Sequence, residues 1–167
     1  MISNNVLEEM FDNADFLIKE NKIADAINVL NDVLAEAPDF GKAHNHLGWI
    51  YETKHKDLAK AEEHYRLALK FKPDYTAVYY NYAILLSTLR KYDELEALLK
   101  KAEACPGINR ATIANEYGIM YESTGRYDEA IAAYKNYIAL LFDEKMIDTA
   151  AASIQRCKKK RDILSAI

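Results

Sequence analysis

The stretch His44–Pro73, HNHLGWIYETKHKDLAKAEEHYRLALKFKP, decides the fold of this chain. It holds two segments with apolar residues at helical spacing, separated by the polar run TKHKD at 53–57 and closed by a proline. Proline cannot donate a backbone hydrogen bond within a helix, so Pro73 marks the end of the second segment. Gly48 and Ala61 are small enough to let two helices approach closely. The stretch therefore predicts a helical hairpin.

The same pattern occurs four times, at intervals of 34 or 35 residues. The small residue of the first helix recurs as Ala14, Gly48, Ala83 and Gly118. Self-similarity at this period is typical of stacked hairpins, which build a solenoid with a concave surface. The copies differ locally: the second has one extra residue within 53–57, and Phe142 stands where the fourth copy should end in proline.

These residues resemble the tetratricopeptide repeat (TPR), whose pattern is W-x2-L-G-x2-Y, then A-x3-F, then P. The second copy carries the resemblance with His44, Leu47, Gly48, Tyr51, Ala61, Tyr65 and Pro73. The fourth carries it with Ala114, Tyr117, Gly118, Tyr121, Ala130 and Tyr134. The resemblance covers roughly residues 5–142. It implies an all-α fold: a right-handed superhelical α-solenoid of four TPR-like hairpins.

We expect a single domain over residues 1–167, with repeats at about 7–40, 41–75, 76–110 and 111–143. The predicted helices are 4–20, 22–36, 40–54, 57–71, 74–89, 91–104, 109–124 and 127–141, with a ninth at about 144–165. The ninth is not a repeat. Its apolar stripe, at Ile147, Ala150, Ile154, Cys157 and Leu164, is expected to cap the last hairpin. Dimerisation through this stripe is the alternative.

The ninth helix also carries the basic run RCKKKR at 156–161. We interpret this run as a solvated face near a helix C-terminus, where cations are favourable. Contact with nucleic acid, acidic lipid or the acidic groove of a second molecule remains the alternative.

The composition narrows the function classes. Half of the residues are apolar and 29% are charged, which indicates a globular chain. The net charge of −4 disfavours a general nucleic-acid binder. Cys105 and Cys157 lack metal or redox spacing and are expected to be reduced thiols. No signal peptide or membrane-length apolar run is expected, so we predict a cytoplasmic protein without membrane contact.

The TPR resemblance implies that the first helix of each hairpin lines a concave groove. Its apolar positions are Trp49, Ile84 and Ile119, with Phe11 and Tyr80 nearby, and an exposed apolar patch usually marks an interaction site. Amide and acidic side chains complete the predicted partner-binding groove: Asn45, Asn81, Asn115, Asp15, Glu52 and Glu116. Two alternatives stay open. In the first, the chain itself covers the apolar stripe. In the second, the amides hydrogen-bond within the solenoid.

The groove positions are also predicted to be acidic. They hold Glu8, Asp12, Asp15, Glu52, Glu116 and Glu122 against Lys19 and Lys42. This balance favours a neutral or basic protein or peptide partner. The family's carboxylate clamp for chaperone tails needs lysine, arginine and asparagine at set positions. Only Asn81 fits that set, so no such clamp is expected.

Motifs for catalysis are missing from the sequence: there is no phosphate loop, nucleophile elbow or Cys/His metal set. His44 and His46 are two residues apart, so they face different sides of a helix and cannot chelate one metal. We predict a non-catalytic protein–protein interaction module without cofactor or metal. The alternative is a self-associating scaffold that forms a homo-oligomer through the groove or the ninth helix.

Overall fold

The computed structural model describes residues 3–166, and the regular structure in that range is helical. The helices are α1 (Asn4–Lys19), α2 (Ile23–Glu36), α3 (Gly41–Ile50), α4 (Leu58–Phe71), α5 (Thr76–Thr88), α6 (Tyr92–Glu103), α7 (Arg110–Ser123), α8 (Tyr127–Ala139) and α9 (Glu144–Leu164). They match the predicted boundaries within two residues, apart from the end of α3, and the predicted TPR-type solenoid fold is confirmed.

Consecutive helices pack as antiparallel pairs, as the pattern predicts: α1 with α2, α3 with α4, and α7 with α8. The chain forms two compact units, one up to Leu85 and one from Leu86 onward, with the boundary inside α5. The core of the first unit is built by α1, α2 and α3 around Ala14, Leu30 and Leu47. The expectation of a single domain stays a prediction.

The small residue of the repeat pattern lets a tyrosine ring of the second helix lie against the backbone of the first. A Cβ atom on Gly48 would lie 2.7 Å from the Tyr65 ring, and one on Gly118 would lie 2.5 Å from the Tyr134 ring. Real Cβ atoms do not approach other atoms so closely. Glycine at these positions therefore sets the distance between the two helices of a hairpin.

Each hairpin turn contains one residue in the left-handed conformation. These residues are Asn21 (φ 57°), Lys56 (φ 58°), Arg90 (φ 56°) and Gly125 (φ 76°). In three of the four turns the next backbone N–H donates to a carbonyl five residues earlier, as in Lys22 to Leu17. This is the hydrogen bond of a Schellman helix end, which satisfies a carbonyl that the helix leaves without a partner.

The extra residue of the second copy is absorbed in a π-helical turn. After α3 the helix continues as a π-helix over Tyr51–His55, and the closing hydrogen bond spans six residues, from Asp57 N–H to the Tyr51 carbonyl. A π-turn takes up one additional residue without changing the direction of the helix. The second hairpin thus closes like the others despite its longer turn.

Helix α9 packs along α8 and covers the last hairpin, as predicted for a cap. Ala150, Ile154 and Cys157 from the predicted stripe are buried there, and Ile154 and Cys157 join the core cluster around Tyr134. Leu164 is 57% exposed, so the packed part of the stripe ends before the last turn of the helix.

Candidate functional site

Within the first unit, the first helices of the hairpins enclose a pocket of about 260 Å³. Helix α1 contributes from one side, α3 forms the middle, and α5 with the residue before it closes the other side. The lining residues are Asp15, Ile18, Asn45, His46, Trp49, Tyr75, Ala77 and Asn81. Four of the predicted groove residues of this unit therefore meet in one concavity.

Trp49 lies half-buried in this pocket. The ammonium group of Lys54 stands 5.6 Å from the centre of its ring, within the range of a cation–π contact. The hydroxyl of Thr53 donates to the Trp49 carbonyl at 2.7 Å, which fixes the backbone at the start of the π-turn. The indole is thus held in position with part of its surface open to solvent.

Phe11 does not face the pocket as the groove prediction assumed. It is only 7% exposed and belongs to the core of the first unit. Its ring packs 5.8 Å from Phe40 and edge-on to His46 at 4.6 Å between ring centres. Repeat position alone could not show that the rings of α3 and its preceding turn close over Phe11.

The two amides of the pocket hydrogen-bond to each other. Asn81 Nδ2 donates to Asn45 Oδ1 at 3.1 Å, and Asn45 is 2% exposed. The internal hydrogen bond that the sequence left open as an alternative is therefore the one observed for this pair. Asn81 is less buried than Asn45 and lines the same pocket.

Several acids predicted to make the groove negative are held by neighbouring groups. Lys42 Nζ lies 2.8 Å from Glu8, and Lys19 Nζ lies 2.6 Å from Asp15. The hydrogen bond from Lys19 lowers the pKa of Asp15, and His46 adds to this with its Nε2 at 3.3 Å. Burial lowers the pKa of His46, so its ring is neutral at neutral pH.

Glu52, Tyr80 and Ile84 lie outside the lining of this pocket. Glu52 is half-buried and accepts a hydrogen bond from the Tyr65 hydroxyl, while loss of hydration raises its pKa. Tyr80 is also half-buried, and Ile84 is 53% exposed on α5.

In the second unit, the remaining predicted residues lie on α7. Asn115 and Glu116 are half-buried, and Ile119 is 37% exposed. Burial raises the pKa of the Glu116 carboxyl, so its negative charge is less stable there than in water.

The basic run of α9 neutralises Glu122. Arg156 donates to both carboxylate oxygens at 2.6 and 2.7 Å, and Lys160 adds a third contact at 2.9 Å. Arg161 reaches Asp128 at 2.7 Å. Three cations of this run thus bind acids of their own unit, although their side chains stay 41–50% exposed on a solvated face. They tie the cap to the hairpin.

Sequence reasoning did not place Tyr75 in a site. Tyr75 precedes α5 and lines the pocket beside Asn81. A tyrosine that the repeat pattern does not use as a packing residue was the available signal. A second cavity, on the unit from Leu86 onward, surrounds Ala114, where the TPR pattern has tryptophan.

Sequence comparison matches two tetratricopeptide repeat models to the chain, one over residues 11–76 and one over residues 111–143. Together they cover more than half of its length. The chain belongs to the tetratricopeptide repeat family. A search of curated proteins found no significant match.

Solved structures show the same fold at low sequence identity. The type IV pilus biogenesis factor PilW is 24% identical over 99% of this chain and 80% of its own, with a TM-score of 0.73. Pseudomonas aeruginosa pilF is 17% identical, covering 96% and 72%, with a TM-score of 0.78. YrrB, a TPR protein with an unusual peptide-binding site, is 16% identical, covering 92% and 76%, with a TM-score of 0.77.

None of the helices in the described part combines the length and the apolar character needed to cross a membrane. Among residues 3–166, no group of three or more His, Cys, Asp or Glu side chains is arranged to hold a metal ion.

Proposed function

We propose that this TPR protein is a non-catalytic interaction module that binds a peptide or protein segment against the first helices of its hairpins. The observation that carries the proposal is the pocket around Trp49. An indole ring and an amide side chain there share a concavity with Tyr75 and Ile18. Aromatic residues in such settings supply much of the binding energy at protein interfaces.

The pocket suits a short part of an extended chain. A volume of about 260 Å³ accommodates one side chain of a ligand, not a whole helix. Exposed Ile84, on α5 of the same unit, would add an apolar contact. Binding of this kind agrees with the peptide-binding site named for YrrB, a protein of the same fold.

The charge of the partner is proposed to be neutral or basic. Asp15 and Glu8 already have cationic neighbours, and Glu122 is neutralised by α9. The preference therefore rests on Asp12 and Glu52 in the first unit and on Glu116 in the second, and it is weaker than the sequence count of six acids suggests. Half-buried Glu116 favours a ligand that brings a hydrogen-bond donor or a positive charge, since either would stabilise its carboxylate.

The experiment is a selection from a displayed library of random peptides on the immobilised full chain. Selected peptides are then titrated in solution while the emission of Trp49, the only tryptophan, is recorded. We expect a change in emission on binding and a loss of affinity of about tenfold or more in Trp49→Ala. Phe16→Ala is the matched control, because Phe16 is 55% exposed on α1 and does not line the pocket.

Peptides that bind Trp49→Ala as tightly as the unmodified chain would place the interaction elsewhere. Circular dichroism of Trp49→Ala is needed beside the titration, because loss of helix would make Trp49 a core residue instead of a contact residue.

The alternative is self-association as a scaffold, and one observation favours it. Phe142 is fully exposed in the connection before α9, and Met146, Ile163 and Leu164 on α9 are each about half exposed. Phe142 and Met146 lie near the start of α9, and Ile163 and Leu164 lie at its end. Exposed apolar patches are typical of contact surfaces. Sedimentation velocity at increasing concentration tests this: a rising mass that Phe142→Ala abolishes supports a homo-oligomer, and a constant monomer mass excludes it.

A further inference from the structure

The position that holds tryptophan in the TPR pattern is filled by a ring in the second and third copies. His44 Nε2 lies 3.0 Å from the Pro38 carbonyl oxygen, and its Nδ1 lies 3.0 Å from Nδ1 of His64. The His44 ring also stacks on Phe71, with 5.8 Å between ring centres. In the third copy Tyr79 is 5% exposed, and its hydroxyl donates to the Pro73 carbonyl at 2.8 Å. We call this place the ring slot.

The fourth copy has the walls of the ring slot without the ring. Aligned on Gly48 and Gly118, His44 corresponds to Ala114 and Pro38 to Ile108. Aligned on Tyr65 and Tyr134, His64 corresponds to Ala133 and Phe71 to Leu140. Two histidine rings of the second copy are thus replaced by methyl groups in the fourth.

The fourth copy accordingly contains a cavity at this place. Its volume is about 320 Å³, and Ile108, Ala114 and Leu140 all line it. A second opening beside it shares Ala114 and includes Ala133. The pocket lies where the two rings stand in the second copy, and their replacement by alanine leaves this place open.

The lining combines apolar walls with polar groups at the rim. Ile108, Ile113 and Leu140 supply the walls. The rim carries Arg110, Tyr117, Glu103 and Asn136. Glu103 already interacts with the Tyr117 hydroxyl, so the side-chain carbonyl of Asn136 is the acceptor for a ligand. Such a lining suits a ring with an apolar body and one polar donor, as in tyrosine or tryptophan. In the third copy, Tyr79 makes the same combination of apolar packing and one donated hydrogen bond.

We propose that the open ring slot of the fourth copy binds an aromatic side chain, tyrosine or tryptophan, presented by another protein. The incoming ring takes the place that His44 and Tyr79 occupy in their own copies, with its O–H or N–H directed to an acceptor at the rim. The site does not use Trp49 or any other residue of the first unit. It is therefore independent of the function proposed above.

The test uses the full chain and two small probes of defined structure. N-acetyl-tyrosinamide carries the ring, and N-acetyl-leucinamide carries an apolar side chain without one. We expect saturable binding of the tyrosine probe with a Kd of about 1 mM, typical of a ligand of this size, and binding of the leucine probe at least about tenfold weaker. Ligand-observed NMR measures both.

Ala114→Tyr supplies the ring internally, as Tyr79 does in the third copy. We expect this variant to lose binding of the tyrosine probe by about tenfold or more and to keep an equal or higher unfolding midpoint. Ala24→Tyr, at an exposed position on α2, is the control and should bind like the unmodified chain. If Ala114→Tyr does not fold, Ala133→Leu fills the slot from the α8 side and is expected to show the same loss.

Each other outcome overturns the proposal. Absence of saturable binding, equal binding of both probes, or unchanged binding by folded Ala114→Tyr would show that the slot does not select rings. If 4-methylphenol binds and N-acetyl-tyrosinamide does not, the slot would be assigned to a free small molecule. A dimer abolished by both Ala114→Tyr and Phe142→Ala would make the occupant a second copy. Trp49→Ala should keep the binding, which separates this result from the test of the Trp49 pocket.

Discussion

The hydroxyl of Tyr65 donates to Glu52 Oε2 at 2.7 Å, across the backbone of Gly48. The fourth copy repeats this relationship, with Tyr134 donating to Glu122 at 3.2 Å across Gly118. The two carboxyls nevertheless shift in opposite directions. Burial raises the pKa of Glu52, whereas the contacts with Arg156 and Lys160 lower the pKa of Glu122 to about 2. The cap helix is the cause, because it brings two cations to Glu122.

The opposite pKa shifts predict that replacing each glutamate by glutamine changes the free energy of unfolding in opposite directions. A carboxyl with a lowered pKa stabilises the fold above its unfolded value near 4.5, and that stabilisation is lost as the pH falls towards about 2. Glu122→Gln should therefore reduce the free energy of unfolding at pH 7 by about 1–2 kcal/mol, less than a full conversion of the shift because the cations are half-exposed. It should also flatten the pH dependence between pH 4.5 and 2.

Glu52→Gln should have the reverse sign. A raised pKa stabilises the fold only below the unfolded value and destabilises it at neutral pH, so removing the charge should increase stability at pH 7. Urea denaturation at pH 7, 4 and 3 measures both variants. Glu129→Gln, on a half-exposed surface pair, is the control and should change little. The same sign for Glu52→Gln and Glu122→Gln would contradict the assigned role of α9.

Gly118→Ala should destabilise the second unit although alanine favours helix. The new Cβ would meet the Tyr134 ring at 2.5 Å, and such overpacking costs about 1–3 kcal/mol, against a gain in helix propensity of about 1 kcal/mol. Chemical denaturation gives the difference. The double variant Gly118→Ala/Tyr134→Leu should show coupling, because removing the ring removes the clash. Purely additive effects would rule out the close approach as the cause.

Arg90→Gly should stabilise the turn between α5 and α6. Arg90 has φ 56°, a conformation that costs a non-glycine residue about 1–2 kcal/mol and that glycine adopts without this cost. Glycine also has more conformational freedom in the unfolded chain, which offsets part of the stabilisation. We expect a net gain of about 0.5–1 kcal/mol in thermal or urea unfolding. Gly125→Ala, at φ 76° in the equivalent turn, should lose a similar amount. If Arg90→Gly is less stable than the unmodified chain, the contacts of the Arg90 side chain contribute more stability than its backbone conformation costs.

A chain that ends at Phe142, without α9, should expose the apolar side of α8. Ile131 and Tyr134, buried in the full chain beside Ile154 and Cys157, would then face water. We expect increased binding of the dye ANS and a tendency to aggregate, since solenoid ends need a polar cap. A chain that ends at Leu164 keeps the whole helix and is the control. Equal dye binding by both would show that α9 does not act as a cap.

The sequence predicted the helices well and the site only in part. The hairpins follow from spacing that is local, because apolar residues at i, i+3 and i+4 share one helix face wherever the helix lies. Trp49 and Asn81 were placed near each other by repeat register alone, and the structure brings both to one pocket. Phe11 has the same kind of register position and is nevertheless buried, because His46 and Phe40 close over it.

The sequence by itself determined the period, the close approach of helices at Gly48 and Gly118, and the place where an extra residue had to be absorbed. Tertiary packing decided which acidic side chains are paired with cations. Glu122 meets Arg156 only because α9 folds back along the last hairpin, 34 residues further along the chain. Packing also decided that no side chain from another element fills the slot left by Ala114 and Ala133. The spacing within one helix fixes its own faces, but what covers each face depends on residues from other elements, which no local pattern specifies.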